Sequence, residues 1–280
     1  MVERHQPSIE VEDEAELEKL RRQVKTYEAL MGKITPYPTG EVLNMMDWLE
    51  GNRIRFGLVS DTHIGSQMAR QDCLSATYDI FDKEKINRVF HCGDMTSGQR
   101  VYRGQENETL YWGFDGQRDA VAKLYPQLKE GKTFWILGNH DASHLSLAGA
   151  DIGEAISKLR KDMVYVGQVE VDVKLARNTM LRLRHPSGGG AYALSYPMQK
   201  YINSLEGGQK PNILAQGHYH NRFAMEYRNI FAFQVPCYES QSLWLKEKGL
   251  QPVTGAWIID AMIDKKGSIT RLTSEAIKFF

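Results

Sequence analysis

Five short apolar segments of this chain each run into a cluster of polar side chains, and that recurrence restricts the fold more than any other feature. Residues 53–59 lead to Asp61-Thr62-His63, residues 86–91 to Gly93-Asp94, residues 133–137 to Gly138-Asn139-His140-Asp141, residues 180–184 to His185, and residues 212–215 to Gly217-His218-Tyr219-His220. The segments are rich in β-branched and aromatic residues, as buried strands are. Between them Leu74, Tyr78 and Phe81 mark one amphipathic helix, Val121, Leu124, Tyr125 and Leu128 a second, and Ile152, Ala155, Ile156 and Leu159 a third. Strands alternating with helices predict an α/β chain whose site lies in polar loops at strand ends. After His220 the pattern turns hairpin-like, around residues 223–227, 230–235 and 255–262.

The clusters pool three carboxylates (Asp61, Asp94, Asp141), Asn139 and five of the chain's eight histidines. This mixture suits borderline divalent cations better than an all-oxygen Mg or Ca cage or an all-thiolate zinc site. Cys73, Cys92 and Cys237 are odd in number and widely spaced, which points to reduced thiols in a cytoplasm rather than a disulfide framework. Cys92 reads as a small buried hydrophobe at a strand end, not a ligand.

With 42% apolar and 25% charged residues the chain is globular in composition and not disordered. Lys+Arg and Asp+Glu are equal at 35 each, so no global field draws in nucleic acid, and any such contact needs a local basic surface. No run of about 18 apolar residues occurs, and the N-terminus is acidic, so neither membrane insertion nor secretion is expected.

Residues 1–50 read as a helical extension and linker ahead of a domain spanning 51–280. Leu17, Leu20, Val24, Tyr27 and Met31 fall at alternating steps of three and four within residues 11–31. That seam fits a coiled coil, to a second copy or a partner helix, or the apolar stripe of a helix packed on the body; packing is the preferred reading. Pro36 and Pro38 end it, and a second short helix is expected over residues 41–50.

The order and spacing of the five clusters resemble the calcineurin-like metallophosphoesterase superfamily, from about Ile54 to His220. The resemblance implies a four-layer α/β/β/α sandwich of two mixed sheets flanked by helices, with two divalent metal ions. Asp61, His63 and His220 would bind one ion, Asn139, His185 and His218 the other, and Asp94 would bridge them. Ions held about 3.5–4 Å apart clamp the oxygens of an in-line displacement, and a metal-bridging hydroxide is the nucleophile. Manganese is the expected ion, with iron, zinc, nickel and magnesium as alternatives. His140 would be the general acid that protonates the leaving oxygen. Asp141 reads as a cap of the next turn, and His91 as a packed, hydrogen-bonded residue behind the ligands.

Two departures matter. Many relatives brace the general acid with an Asp or His three residues after the bridging aspartate; here that position is Ser97, which leaves the brace of His140 unassigned. Gly98 stands where protein phosphatases of the superfamily place an arginine that grips a dianionic monoester, which shifts weight toward phosphodiesters. The following segment, residues 98–117, interleaves cations and rings, and Tyr102, Arg103 and Trp112 are its candidate substrate contacts. Its wording from Val101 to Glu106 resembles the exonuclease small subunit of archaeal family-D DNA polymerase, and the whole is similar to repair nucleases that pair with an ABC-type ATPase. Gly188 through Tyr192, with Tyr196, Lys200 and Tyr201, offers either a flexible substrate loop or packing. A metal-dependent phosphodiesterase is therefore expected, most of all a DNA exo- or endonuclease. A small-molecule phosphodiesterase or phosphatase, for example for cyclic nucleotides, is the alternative. An inactive scaffold of the same fold is the second.

Overall fold

Two six-stranded sheets carry the motifs. The first has the order β12 (Ile269–Phe279), β11 (Thr254–Ile263), β2 (Arg53–Val59), β3 (Arg88–His91), β4 (Lys132–Leu137), β5 (Met163–Gln168). Strands β2 to β5 are parallel, while β11 and β12 add an antiparallel edge. The second has the order β1 (Leu43–Asn44), β6 (Glu170–Ala176), β7 (Thr179–Arg184), β8 (Ile213–Gln216), β10 (Ile230–Gln234), β9 (Phe223–Tyr227). Here β7, β8 and β10 run parallel, and β6 and β9 pair antiparallel at the flanks. The computed structural model describes residues 18–23, 42–49 and 51–280.

The sheets face each other across one apolar seam. Phe56, Leu58, Phe90 and Ile136 from the first meet Val173, Leu183, Ile213, Ala215 and Phe233 from the second. Helices cover the outer faces. On the first sheet α1 (Gln71–Lys83) buries Leu74, Tyr78 and Phe81, and α4 (Ile152–Leu159) buries Ile152 and Ile156 beside β5. On the second, α5 (Tyr196–Ser204) sets Met198 and Ile202 on Leu214, Ile230 and Ala232. This is the α/β/β/α sandwich that the resemblance implies; α2 (Gly113–Leu124), α3 (Asn139–Ala148) and α6 (Leu243–Glu247) complete it. Buried on both sides, the parallel strands read as nearly continuous apolar runs.

Two local expectations need correction. The helix expected over residues 41–50 is strand β1 followed by one 3-10 turn, Met46–Trp48. Leu43 pairs with Val173, Met45 enters the core, and the Asn44 side chain accepts a bond from the Met46 amide at 3.2 Å, so alternation wins over helical spacing. Tyr125 and Leu128 continue an apolar pattern but lie beyond α2, because Tyr125 precedes Pro126 and takes an extended backbone. The segment after His185 is divided: Tyr192 and Tyr196 are exposed, whereas Tyr201 packs under Arg184 and donates to Glu170 at 2.6 Å.

Residues 18–23 are helical and exposed. The remainder of the heptad seam lies outside the described residues. No helix among the described residues is long and apolar enough to cross a membrane. The three cysteines are unpaired and buried.

Candidate metal centre

The loops after β2 and β3 supply Asp61, His63 and Asp94, the first turn of α3 after β4 supplies Asn139 and His140, and the loops after β7 and β8 in the facing sheet supply His185, His218 and His220. Backbone bonds align the first two loops: Asp61 N to Gly93 O (2.9 Å), His63 N to Asp94 O (3.1 Å) and Ile64 N to Met95 O (2.9 Å). Asp61, His63, Asp94, His218 and His220 all take positive φ, between 43° and 79°. Non-glycine residues adopt that region at a cost, and a concentration of them marks a segment shaped for a task other than folding. Gly138 is required by crowding: a Cβ there would overlap Asp94 Oδ1.

The side chains converge in overlapping groups. Asp61, His63 and His220 form one; Asp94, His185 and His218 form another; Asp94 also joins His63 and His140. His63 Nε2 lies 3.1 Å from His220 Nε2, which lies 3.3 Å from Asp61 Oδ1. His185 Nε2 lies 3.1 Å from Asp94 Oδ2 and 3.2 Å from Asn139 Oδ1. Donors about 2.0–2.2 Å from a divalent ion sit roughly 3–3.5 Å from one another, so these groups fit such ions. Asp94 belongs to groups on both sides and is placed between them.

Carbonyl groups behind the imidazoles decide which nitrogen faces inward. A carbonyl only accepts, so the ring nitrogen next to it carries the proton. His185 Nδ1 donates to Cys92 O (2.7 Å), which turns Nε2 toward Asp94. His218 Nε2 donates to Gly188 O (2.7 Å), leaving Nδ1 as the nitrogen that could hold a cation. His140 Nδ1 donates to Ser97 O (2.6 Å), and its Nε2 looks toward Asp94 Oδ2 at 4.0 Å. The brace for His140 is thus the main chain at position 97. Gly98 has φ +69°, and a Cβ there would collide with His140 O, so this backbone admits no arginine at that position.

Electrostatics agree. Burial pushes Asp94 up, but the imidazoles of His185 and His140 outweigh it and hold the carboxyl well below its ordinary range. For His185 burial works downward, the Asp94 charge works upward and wins, and the ring is carried to about 9. His63 is pushed down, first by burial and then by His140. Behind the ligands, His91 accepts from Gly93 N (3.2 Å), and burial lowers it to about 3, so it is a neutral packed residue. Asp141 accepts from the amides of Met95, Thr96 and Gly138 and so caps α3 while fixing the Asp94 loop. His144 points away, to Gln117.

Residues 98–117 are placed unevenly. The Tyr102 ring lies 6.3 Å from His140, centroid to centroid. Arg103 and Trp112 are exposed and share no hydrogen bond, ion pair or ring contact with the metal-binding groups among the described residues. Two residues here were not legible beforehand. Glu239, 7% exposed, lies 3.7 Å from His220 Nδ1 and accepts from Ser66 Oγ (3.3 Å). Trp244 lies against Tyr102 at 5.6 Å. Neither belongs to a donor motif, and only the fold brings them here.

Two facing sheets with a His- and Asp-lined centre at their loop ends define a metallophosphoesterase. Residues 54–259 match the family model "Calcineurin-like phosphoesterase", and the chain belongs to that family. Among curated proteins it is similar to the DNA polymerase II small subunit of Archaeoglobus fulgidus, 25% identical over 245 residues, covering 70% of this chain and 49% of that protein. The protein of the same name from Methanothermobacter thermautotrophicus is 23% identical, covering 70% and 50%. The chain thus spans about half the length of the curated relatives it matches. Similar solved structures include a novel archaeal phosphodiesterase (15% identity, TM-score 0.44, 80% of this chain and 100% of that one). Zinc-complexed Vps29 from Entamoeba histolytica is another (12%, TM-score 0.38, 80% and 99%). Family and donor set together support phosphoester hydrolysis with divalent metal.

Proposed function

We propose that the protein is a phosphodiesterase using two divalent cations, manganese foremost, and that DNA is its substrate. One observation carries the reading: Asp94 stands between two sets of inward-facing donors. Asp61, His63 and His220 would hold one ion, Asn139, His185 and His218 the other, and Asp94 would serve both. Bound there, the ions supply positive charge for the phosphate and acidify water. The neutral amide of Asn139 keeps the centre attractive to a polyanion. His140, with Nδ1 tied to Ser97 O, presents Nε2 to the leaving oxygen and protonates it. A diester needs no second anionic grip, which suits a backbone that admits only glycine at position 98.

The nucleic-acid part rests on the polymerase small subunits among the relatives, and on Arg100 and Arg103, which are exposed and have no ion-pair partner among the described residues. The balanced charge, 35 against 35, favours a second reading, a small-molecule diester. Purified protein with Mn²⁺ on labelled single- and double-stranded DNA, beside an aryl diester and an aryl monoester, separates them. DNA cleavage together with diester preference is expected. DNA left intact while a mononucleotide diester turns over would replace the first reading with the second. Residues 11–31 are proposed as the contact to a partner or a second copy.

A further inference from the structure

Two aromatic side chains stand together near the centre, one of them next to His140. Tyr102 and Trp244 have ring centroids 5.6 Å apart at 35°, and Tyr102 lies 6.3 Å from the His140 ring. They come from segments far apart in sequence, and one carboxylate ties them: Glu108 accepts from the Tyr102 hydroxyl (2.9 Å) and from the Leu243 amide (2.8 Å). The Glu108 carbonyl accepts from Gln67 N (2.8 Å), which joins the pair to the loop carrying His63. In the five-residue helix α6 the anchor is Leu245, 6% exposed, while Trp244 remains 37% exposed. Part of the indole is therefore left open to solvent.

We infer that Tyr102 and Trp244 form a stacking subsite for the base of the leaving nucleoside. The inference rests on the phosphodiesterase reading above and deepens it. His140 protonates the leaving oxygen, so rings beside His140 meet the group attached to that oxygen. The Glu108 carboxylate sits on the Tyr102 hydroxyl, which disfavours a phosphate there and leaves an uncharged base as the occupant. Stacking on an aromatic face tolerates any base, since every base has a π-face.

The test uses the Mn²⁺-loaded protein and three substrates: a dinucleoside monophosphate with both bases, and its two analogues with an abasic sugar on one side or the other. The wild type should cleave one abasic analogue less efficiently than the parent, by roughly 5- to 150-fold in kcat/KM, and the analogue affected identifies the leaving side. Trp244→Ala should bring that ratio close to one, and Trp244→Phe should restore most of it. A ratio that survives in Trp244→Ala, or equal losses on all three substrates, overturns the subsite and leaves the phosphodiesterase reading standing. No cleavage of any of the three beside rapid hydrolysis of an aryl diester removes the nucleotide reading, and the subsite with it.

Discussion

Glu239→Ala should weaken one cation of the pair and spare the other. Among the described residues His220 Nδ1 is buried with no hydrogen-bond partner, and a carboxylate oxygen, Glu239 Oε2, lies 3.7 Å away, too far for a bond and close enough for a charge contact. A cation on Nε2 draws electron density from the ring and makes Nδ1–H a stronger donor, so a small closing movement completes a carboxylate–histidine–metal chain. Removing such a partner costs about 10- to 100-fold in metal affinity, or roughly 1.4 to 2.7 kcal/mol. Glu239 also serves Ser66, and its contact with His220 is long, so the lower half of that range, about 10- to 30-fold, is expected. Glu239→Gln keeps an acceptor oxygen without the charge and should lose less. His185 and His218 lean on the carbonyls of Cys92 and Gly188, which neither substitution touches, so the second equivalent should bind as in the wild type. Titration of metal-free protein with Mn²⁺, following the free ion by electron paramagnetic resonance, gives both affinities. Thermal melting in chelator checks the fold. Two unchanged equivalents in Glu239→Ala, or two equally weakened ones, would refute the argument.

Asp94→Ala should disrupt both metal positions and abolish hydrolysis, read by metal analysis; two tightly bound equivalents in the variant would remove Asp94 as the bridge. His140→Ala should keep metal occupancy and lose far more rate on diesters with poor leaving groups than on activated aryl diesters. Equal losses would make His140 a positioning residue. The last prediction concerns pH. Burial lowers His144 from 6.5 to about 4, so its neutral form is favoured by folding. The resulting stabilisation is complete above the unfolded value and is lost as pH falls through that interval, by up to about 1.4 kcal/mol per unit. His144→Gln should flatten the decline in urea-unfolding stability from about pH 7 to about pH 4 in chelator, and an unchanged slope would count against it.

The donor motifs and the strands that deliver them were legible because each couples a buried apolar run to side chains that packing cannot use. Residues 53–59 form β2 over the expected span, and the strands before Asp94, Asn139, His185 and His218 differ from expectation only at their ends. Less legible were elements whose sequence serves two environments. Strand β12 pairs along one edge only and is largely exposed, so Thr270, Arg271, Thr273 and Ser274 hide its alternation. Strand β6 does alternate, with Val171, Val173 and Leu175 inward, yet it is flanked by charges that read as loop. In the centre itself the supporting atoms are main-chain carbonyls of Cys92, Ser97 and Gly188, and a carbonyl has no letter of its own in a sequence. Glu239 and Trp244 arrive from beyond the last motif by tertiary folding alone.

The division of the donors between two sheets has a consequence for how the molecule is made. His63 and His220 stand 157 residues apart in the chain and 3.1 Å apart in space. The groups Asp61, His63, His220 and Asp94, His185, His218 each draw on both sheets, so neither is complete until the second sheet has closed against the first. An ion bound across that boundary is a cross-link that chelation removes and proteolysis does not. Cation occupancy would therefore count molecules whose halves have come together correctly.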